Sequence, residues 1–131
     1  MGEFLVIGDT SGSMTQKDMD LVASEINSAK LTMNPSGIRV IWADAMACNF
    51  EEYFEPEDDL VLHPKGGGGT DMRLPMKYAE QFNPEVVVLI TDGETPWPKE
   101  EPPYNLIVLC TTNAKVPVGR VLRVHTYAGS A

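Results

Sequence analysis

Long apolar runs and paired cysteines are both missing from this sequence of 131 residues. No stretch approaches the roughly 18 consecutive apolar residues that a membrane-spanning helix needs, so we expect no membrane contact. The opening MGEFLVIG lacks the basic start and longer apolar segment of a secretory signal, and is typical of a short buried strand. Cys48 and Cys110 are too few and too far apart for a disulfide framework. Because each lies in or beside an apolar segment, we predict buried free thiols in a reducing, cytoplasmic setting.

Basic residues are scarce relative to acidic ones, since 10 Lys and Arg stand against 19 Asp and Glu, a formal net charge of −9. Proteins that bind a phosphate backbone usually present a basic face, so this balance argues against a nucleic-acid partner. A cation, or a protein partner that is basic or bridged by a metal ion, is compatible with the acidity. A role of the acidity in solubility alone is equally compatible.

Histidine is scarce as well, and its placement bears on one class of metal site. His63 and His125 have no second histidine or cysteine at the spacing that zinc sites use. The sequence therefore argues against a zinc centre.

The periodicity of apolar residues predicts alternating strands and helices. With 43% hydrophobic residues, the chain can bury the core of a single domain spanning residues 1–131. Short apolar runs bounded by glycine or polar loops indicate buried strands, and apolar residues at steps of three and four indicate helices. The predicted strands are 3–8, 38–43, 48–54, 85–91, 105–110 and 120–126, and the predicted helices are 15–33 and 71–82.

The link between the second and third predicted strands, residues 44–47, is too short for a crossover. It permits a hairpin, which makes the third strand an antiparallel edge, and Glu51, Glu52 and Glu55 suit an exposed edge. Helices between consecutive parallel strands predict a doubly wound, mostly parallel α/β sheet of Rossmann-like type. We predict the strand order 3-2-1-4-5-6, with strand 3 antiparallel.

The C-terminal half predicts a reduced version of this fold. Four prolines between Gly93 and Tyr104 exclude a normal helix there, and the link from Thr111 to Gly119 is too short for one. Part of the sheet is then expected to lack helical cover, which favours a partner or a homo-oligomer unless the proline-rich loop folds over it. Trp97 in this loop either stands on the rim of a binding site or packs under its own loop.

Oxygen-bearing side chains follow the first predicted strand in the segment 9–13 (DTSGS). Asp9, Ser11 and Ser13 offer one carboxylate and two hydroxyls from a tight loop, and such hard donors suit Mg²⁺. Neutral hydroxyls add donors without adding charge, so a bound ion keeps positive character and can attract an outside carboxylate. Taken singly, the same residues are also typical of a turn with a helix cap.

Two more candidate ligands come from distant parts of the sequence. Thr70 follows four glycines and Asp92 follows the buried run LIT, although the first also suits a helix cap and the second an ordinary turn. In a doubly wound sheet, ligands bind where the winding reverses, at the carboxyl ends of the first and fourth strands. Asp9 and Asp92 follow those two strands. Asp44, after the second strand, is better interpreted as a turn residue than as one that tunes the site.

The motifs DTSGS, GGGGTD and LITDGE, in this order, resemble the metal-ion-dependent adhesion site of von Willebrand factor A (VWA) domains. The likeness is closest to the VWA-like domains of bacterial and phage proteins, in which a glycine-rich stretch precedes the threonine. The resemblance implies that Ser11 and Ser13 bind the metal directly and that Thr70 binds it directly or through water. It implies that Asp9 and Asp92 bind mostly through water, and that an acidic side chain of a partner completes the shell.

This resemblance implies a non-enzymatic module that binds a protein partner through Mg²⁺, with Mn²⁺ or Ca²⁺ as alternatives. Related domains often act beside AAA+ ATPases of the MoxR type or in chelatase-like assemblies. Some relatives carry a putative metallopeptidase domain, but this sequence has no HExxH motif, so that activity is not expected.

Two other functions remain as alternatives. A structural or assembly protein would use the metal only for stability. A phosphohydrolase of the haloacid dehalogenase type would use Asp9 as nucleophile, but such enzymes need an acid two residues later, where this chain has Ser11. The GGGGT segment also lacks the lysine and the spacing of a phosphate-binding P-loop.

Overall fold

The structure is a computed structural model that describes residues 2–9, 16–43, 50–62, 71–93, 95–110 and 112–123. Within these residues the chain forms six strands, two α-helices and one 3₁₀ turn. The strands are β1 (Phe4–Asp9), β2 (Ile38–Ala43), β3 (Phe50–Phe54), β4 (Val86–Thr91), β5 (Asn105–Cys110) and β6 (Arg120–Arg123). The helices are α1 (Gln16–Met33) and α2 (Arg73–Ala79), and the 3₁₀ turn Glu80–Phe82 continues α2.

The six strands form one sheet in the order β3-β2-β1-β4-β5-β6. All neighbours pair in parallel except β2 and β3, which pair in antiparallel. The predicted order and the antiparallel third strand are therefore confirmed. β1 lies between β2 and β4, so the chain reverses its direction of winding at β1.

Apolar side chains on the two faces of the sheet form two separate clusters, because successive residues of a strand point to opposite faces. On one face, Val6 and Val88 pack with Met19, Val22 and other residues of α1. The opposite face is covered by Met76 and Ala79 of α2, together with residues of later loops. Helices on both faces agree with a doubly wound arrangement.

Helix α1 follows the predicted periodicity, since Met19, Val22 and Ile26 are buried along one face. It ends where Asn34 takes a left-handed conformation with φ of 48°. The Asn34 N–H donates to the Lys30 carbonyl at 3.0 Å, which closes the last turn before Pro35.

Helix α2 begins two residues later than predicted. Met72 is its N-cap residue and makes no side-chain capping bond. The Asp71 carboxylate still accepts the Arg73 backbone N–H at 3.0 Å, and the Met72 N–H donates to Thr95 Oγ1 at 2.9 Å. The start of this helix is therefore determined partly by a contact with the loop that follows β4.

The proline-rich loop covers one face of the C-terminal half of the sheet and leaves the other partly open. Trp97 and Tyr104 pack on the cluster beneath α2, and the Tyr104 hydroxyl donates to the Met76 carbonyl at 2.7 Å. Burial raises the pKa of the Tyr104 phenol. On the α1 face, Ile107 and Leu109 are only half-buried, and Leu122 beside them is exposed. The loop thus covers the α2 face, one of the two expected outcomes, while apolar side chains on the α1 face stay partly exposed.

Cys110 is a buried free thiol as predicted, whereas Cys48, Asp44, His63 and His125 lie outside the described residues. No helix in the described ranges is long and apolar enough to cross a membrane.

Arg39 forms a polar cluster at the start of β2, away from the candidate site. Its guanidinium pairs with Glu3 at 3.0 Å and with Glu51 at 2.7 Å, and it lies over the rings of Tyr53 and Phe82. Hydrogen bonds with Glu3, and then with Glu51, raise its pKa further above its usual value. The cluster joins β2, β3 and the 3₁₀ turn, which indicates a structural role for Arg39.

Candidate metal centre

Asp9 and Asp92 are brought to the same edge of the sheet by two neighbouring strands. Asp9 is the last residue of β1, and Asp92 directly follows β4. Gly8 is paired with Ile90 in the parallel register, so Asp9 lies beside Thr91 and next to the start of the Asp92 turn. Asp9 is 3% exposed and Asp92 is 8% exposed, which is unusual for ionisable side chains.

Thr91 connects these two acidic positions. Its hydroxyl, which is fully buried, donates to Asp9 Oδ2 at 2.8 Å. The same oxygen accepts the Gly93 backbone N–H at 3.0 Å. One hydroxyl therefore orients the Asp9 carboxylate and also anchors the turn that carries Asp92.

Three further hydrogen bonds and one glycine hold the turn after β4. Gly93 has a φ of 85°, a conformation that side chains with a Cβ rarely adopt. The Trp97 indole N–H donates to the Gly93 carbonyl at 3.3 Å, and the Thr112 hydroxyl donates to the Asp92 carbonyl. Thr95 receives the Met72 N–H, as described above. The backbone around Asp92 is thus fixed from the proline-rich loop, from α2 and from the loop after β5.

Trp97 is half-buried and packs against the core beneath α2. Of the two roles open from the sequence, packing under its own loop is the one observed. Its hydrogen bond to the Gly93 carbonyl ties the loop to the turn that follows Asp92.

Gly8, the residue before Asp9, is in close contact with Trp42 on the α1 face of the sheet. A Cβ on Gly8 would lie 2.1 Å from Cζ3 of Trp42, closer than any van der Waals contact. Trp42 is fully buried, and its indole N–H has no hydrogen-bond partner among the described residues. Glycine is required at position 8 because the Trp42 ring lies directly on β1.

The three hydroxyl residues predicted for the site, Ser11, Ser13 and Thr70, lie outside the described residues. Asp71, which follows Thr70, is described and is partly exposed. The Arg73 guanidinium donates to both Asp71 oxygens, and this hydrogen bonding lowers the pKa of Asp71 below its usual value. Asp71 therefore carries a negative charge near neutral pH and is held by Arg73, the first residue of α2.

The described part of the chain contains no group of three or more His, Cys, Asp or Glu side chains that could hold a metal ion. Asp9 and Asp92 supply two carboxylates, so a metal here would need further oxygen donors from hydroxyls, backbone or water. Mg²⁺ accepts such a mixed set, because it usually binds one or two carboxylates and keeps several waters. The chemistry of Asp9 and Asp92 fits a hard divalent cation.

Sequence reasoning did not identify the role of Thr91 in this centre or the Gly8–Trp42 contact beside it. A threonine between a buried strand and Asp-Gly was the available signal for Thr91, since a buried hydroxyl needs a partner. For Gly8, the signal was a glycine placed directly before the candidate ligand Asp9. Neither signal indicates which distant residue makes the contact.

Replacing Thr91 with valine is expected to lower the free energy of unfolding by about 2 kcal/mol. Valine keeps the shape but removes the donor to Asp9 and the acceptor of the Gly93 N–H, both in a buried environment. Urea unfolding of wild type, Thr91→Val and Thr91→Ser measures this effect. Serine retains the hydroxyl and should be the more stable of the two variants, and the reverse order would contradict the role of the hydroxyl.

The sequence from residue 4 to residue 125 matches the model of the family described as VWA-like domain (DUF2201). A search of curated proteins gave no sequence that matches the chain. The observed strand order, with an antiparallel third strand, agrees with a VWA-like α/β fold. Because the match covers nearly the whole chain, this protein belongs to the VWA-like domain family DUF2201.

Proposed function

We propose that this VWA-like domain is a non-enzymatic module that binds a protein partner through a divalent metal ion, preferably Mg²⁺. The observation that supports this most is the placement of Asp9 and Asp92, two buried carboxylates at the adjoining carboxyl ends of β1 and β4. In an open α/β sheet, ligands bind at this point, where the direction of winding reverses. A divalent cation would offset the cost of holding two carboxylates there.

The proposed ligand set is Asp9, Ser11, Ser13, Thr70 and Asp92, following the resemblance to the metal-ion-dependent adhesion site. In this proposal the serine and threonine hydroxyls bind the ion, and the two aspartates hold its water ligands. The hydrogen bond from Thr91 orients Asp9 for that task. With few charged ligands in direct contact, the ion keeps positive character and an open position for an outside oxygen.

The proposed partner presents an acidic side chain to this open position. The chain itself has a net charge of −9, so an acidic partner would be repelled without the ion. Metal-dependent binding follows, and removal of the ion should release the partner. A component of an AAA+ ATPase system is the kind of partner that the family resemblance suggests.

A second candidate function is a structural or assembly role in which the ion only stabilises the fold. The low exposure of Asp9 and Asp92, 3% and 8%, favours this alternative, because buried ligands offer little surface to a partner. Metal removal would then lower stability without releasing anything. Phosphohydrolase activity has no comparable support, because Ser11 stands where the acid of that mechanism is needed.

Calorimetric titration of Mg²⁺ and Mn²⁺ into wild type and Asp9→Ala tests the proposed site. We expect saturable binding to wild type and a loss of affinity of up to about 100-fold in the variant, because groups in the outer shell orient the direct ligands of a metal. Glu25→Gln, which changes an exposed acid on α1, serves as the matched control and should bind like wild type. Absence of binding to wild type would refute the metal-dependent function.

A further inference from the structure

A groove of about 640 Å³ lies between α1 and the segment 55–62, on the α1 face of the sheet. Along α1 it is lined by residues at steps of three and four, from Asp20 through Asn27 to Leu31. Eleven residue steps of helix span about 16 Å, so the groove is long enough to hold about three turns of a second helix. None of the described residues that line it belongs to the candidate metal centre.

The segment 55–62, which forms the wall of the groove opposite α1, is hydrogen-bonded to α1. The Asn27 side chain donates to the Leu60 carbonyl at 3.1 Å and accepts the Leu60 N–H at 2.9 Å. Gln16 donates to the Leu62 carbonyl at 2.8 Å. Leu60 and Leu62 are buried in the core, at 2% and 1% exposure. The wall is therefore part of the folded domain, and the groove is pre-formed.

Apolar side chains are exposed along this groove. Leu31 on α1 is 79% exposed and Val61 on the opposite wall is 45% exposed. Both line the groove. These two side chains leave apolar surface on both walls of the groove available to a partner.

The charged side chains that line the groove are mostly acidic. Asp20, Glu57 and Asp59 line it, and none of the three is within ion-pair distance of a Lys or Arg among the described residues. Among the described residues that line the groove, the only basic one is Lys30, whose ammonium donates to the Asp58 carbonyl and whose side chain is largely buried. The described lining of the groove therefore combines exposed apolar side chains with acidic side chains that have no Lys or Arg partner among the described residues.

We propose that this groove docks a basic amphipathic helical segment of a partner protein, independently of the metal centre. Apolar residues of the segment would pack on Leu31 and Val61, while its Lys or Arg side chains pair with Asp20, Glu57 and Asp59. This is the helix-in-groove mode of peptide recognition, with charge setting specificity. A second copy of the chain carries the same net charge of −9, so complementarity favours a different, basic protein.

Fluorescence anisotropy with a synthetic peptide tests this proposal. The probe is a fluorescein-labelled peptide of about three helical turns, with leucine on one face and lysine or arginine on the other, in about 0.15 M salt. We expect saturable binding to wild type. The triple variant Asp20→Asn/Glu57→Gln/Asp59→Asn should weaken it by about tenfold, since three exposed ion pairs are lost. Leu31→Ser should weaken it as well.

The matched control removes three exposed acids outside the groove, in the variant Glu25→Gln/Glu80→Gln/Glu100→Gln. It should bind the peptide as wild type does, and a control peptide with alanine in place of leucine should bind weakly. EDTA and Asp9→Ala should leave peptide binding unchanged, which separates this groove from the metal centre. No binding to wild type would overturn the proposal. If both triple variants lost peptide affinity equally, the binding would be non-specific attraction to the acidic surface, and the proposal would also be overturned.

Discussion

An alanine at position 8 is expected to lower the free energy of unfolding by about 3 kcal/mol, which is a large part of the stability of a small domain. The new Cβ would lie 2.1 Å from Cζ3 and 2.3 Å from Cε3 of Trp42. Trp42 is fully buried in the cluster beneath α1, so its ring has no free space into which to move. Gly8 also precedes Asp9, so any shift of β1 would displace the candidate ligand. Urea unfolding followed by circular dichroism measures the change.

Two comparisons make this prediction specific. Gly2→Ala is the matched control, because its Cβ would meet nothing closer than 3.3 Å, and it should change stability by less than about 1 kcal/mol. In a Gly8→Ala background, Trp42→Leu should cost less than it does alone, because the smaller side chain relieves the contact. Additive losses in this double-mutant cycle would show that the two residues do not conflict in the way described.

Magnesium is expected to stabilise wild type and to leave Asp92→Asn unchanged. A ligand that binds only the folded state at about 100 times its Kd adds about 2.7 kcal/mol to the free energy of unfolding. Asp92 lies directly after β4 beside the end of β1, so loss of its charge should weaken an ion bound between the two strands. Thermal unfolding with MgCl₂, and with matched ionic strength from NaCl, measures the difference.

The control for this experiment is an acid elsewhere on the surface. Glu25→Gln removes the same charge from an exposed position of α1 and should gain as much stability from Mg²⁺ as wild type does. Equal stabilisation of wild type and Asp92→Asn would place the ion at a different site. Stabilisation by NaCl alone would indicate screening of the net charge of −9 and not binding.

The sheet could be predicted from the sequence because its order depends on local apolar runs and on link lengths. The link 44–47 is too short for a crossover, and this alone makes β3 an antiparallel strand. The start of α2 was predicted too early, at residue 71 instead of Arg73. The Met72 N–H is bound by Thr95, a residue 23 positions away, and no local pattern can indicate such a contact.

The candidate centre was only partly predictable for the same reason. Asp9 and Asp92 follow strand ends, and topology brings strand ends together, so their proximity could be inferred from sequence. The contact between Thr91 and Asp9 joins residues 82 positions apart and depends on the register of two strands. The fit of Trp42 against Gly8 depends likewise on the pairing of β1 with β2.

The two proposed surfaces would give the domain two kinds of partner contact. An ion between β1 and β4 would bind an acidic group, whereas the groove along α1 presents Asp20, Glu57 and Asp59 to a basic one. Opposite charge preferences on separate surfaces would let one domain bind two segments without competition. EDTA should therefore abolish binding at the first surface and leave the second unaffected.

The most direct test of the proposed metal centre is a crystal structure of the wild-type protein grown with Mn²⁺, with the ion located by anomalous scattering. We predict one strong anomalous peak at the carboxyl ends of β1 and β4, between the side chains of Asp9 and Asp92. Hydroxyl oxygens of Ser11, Ser13 and Thr70 should lie at coordination distance from it. A fully occupied peak at any other place, or none at Mn²⁺ concentrations that saturate binding in solution, would contradict the account.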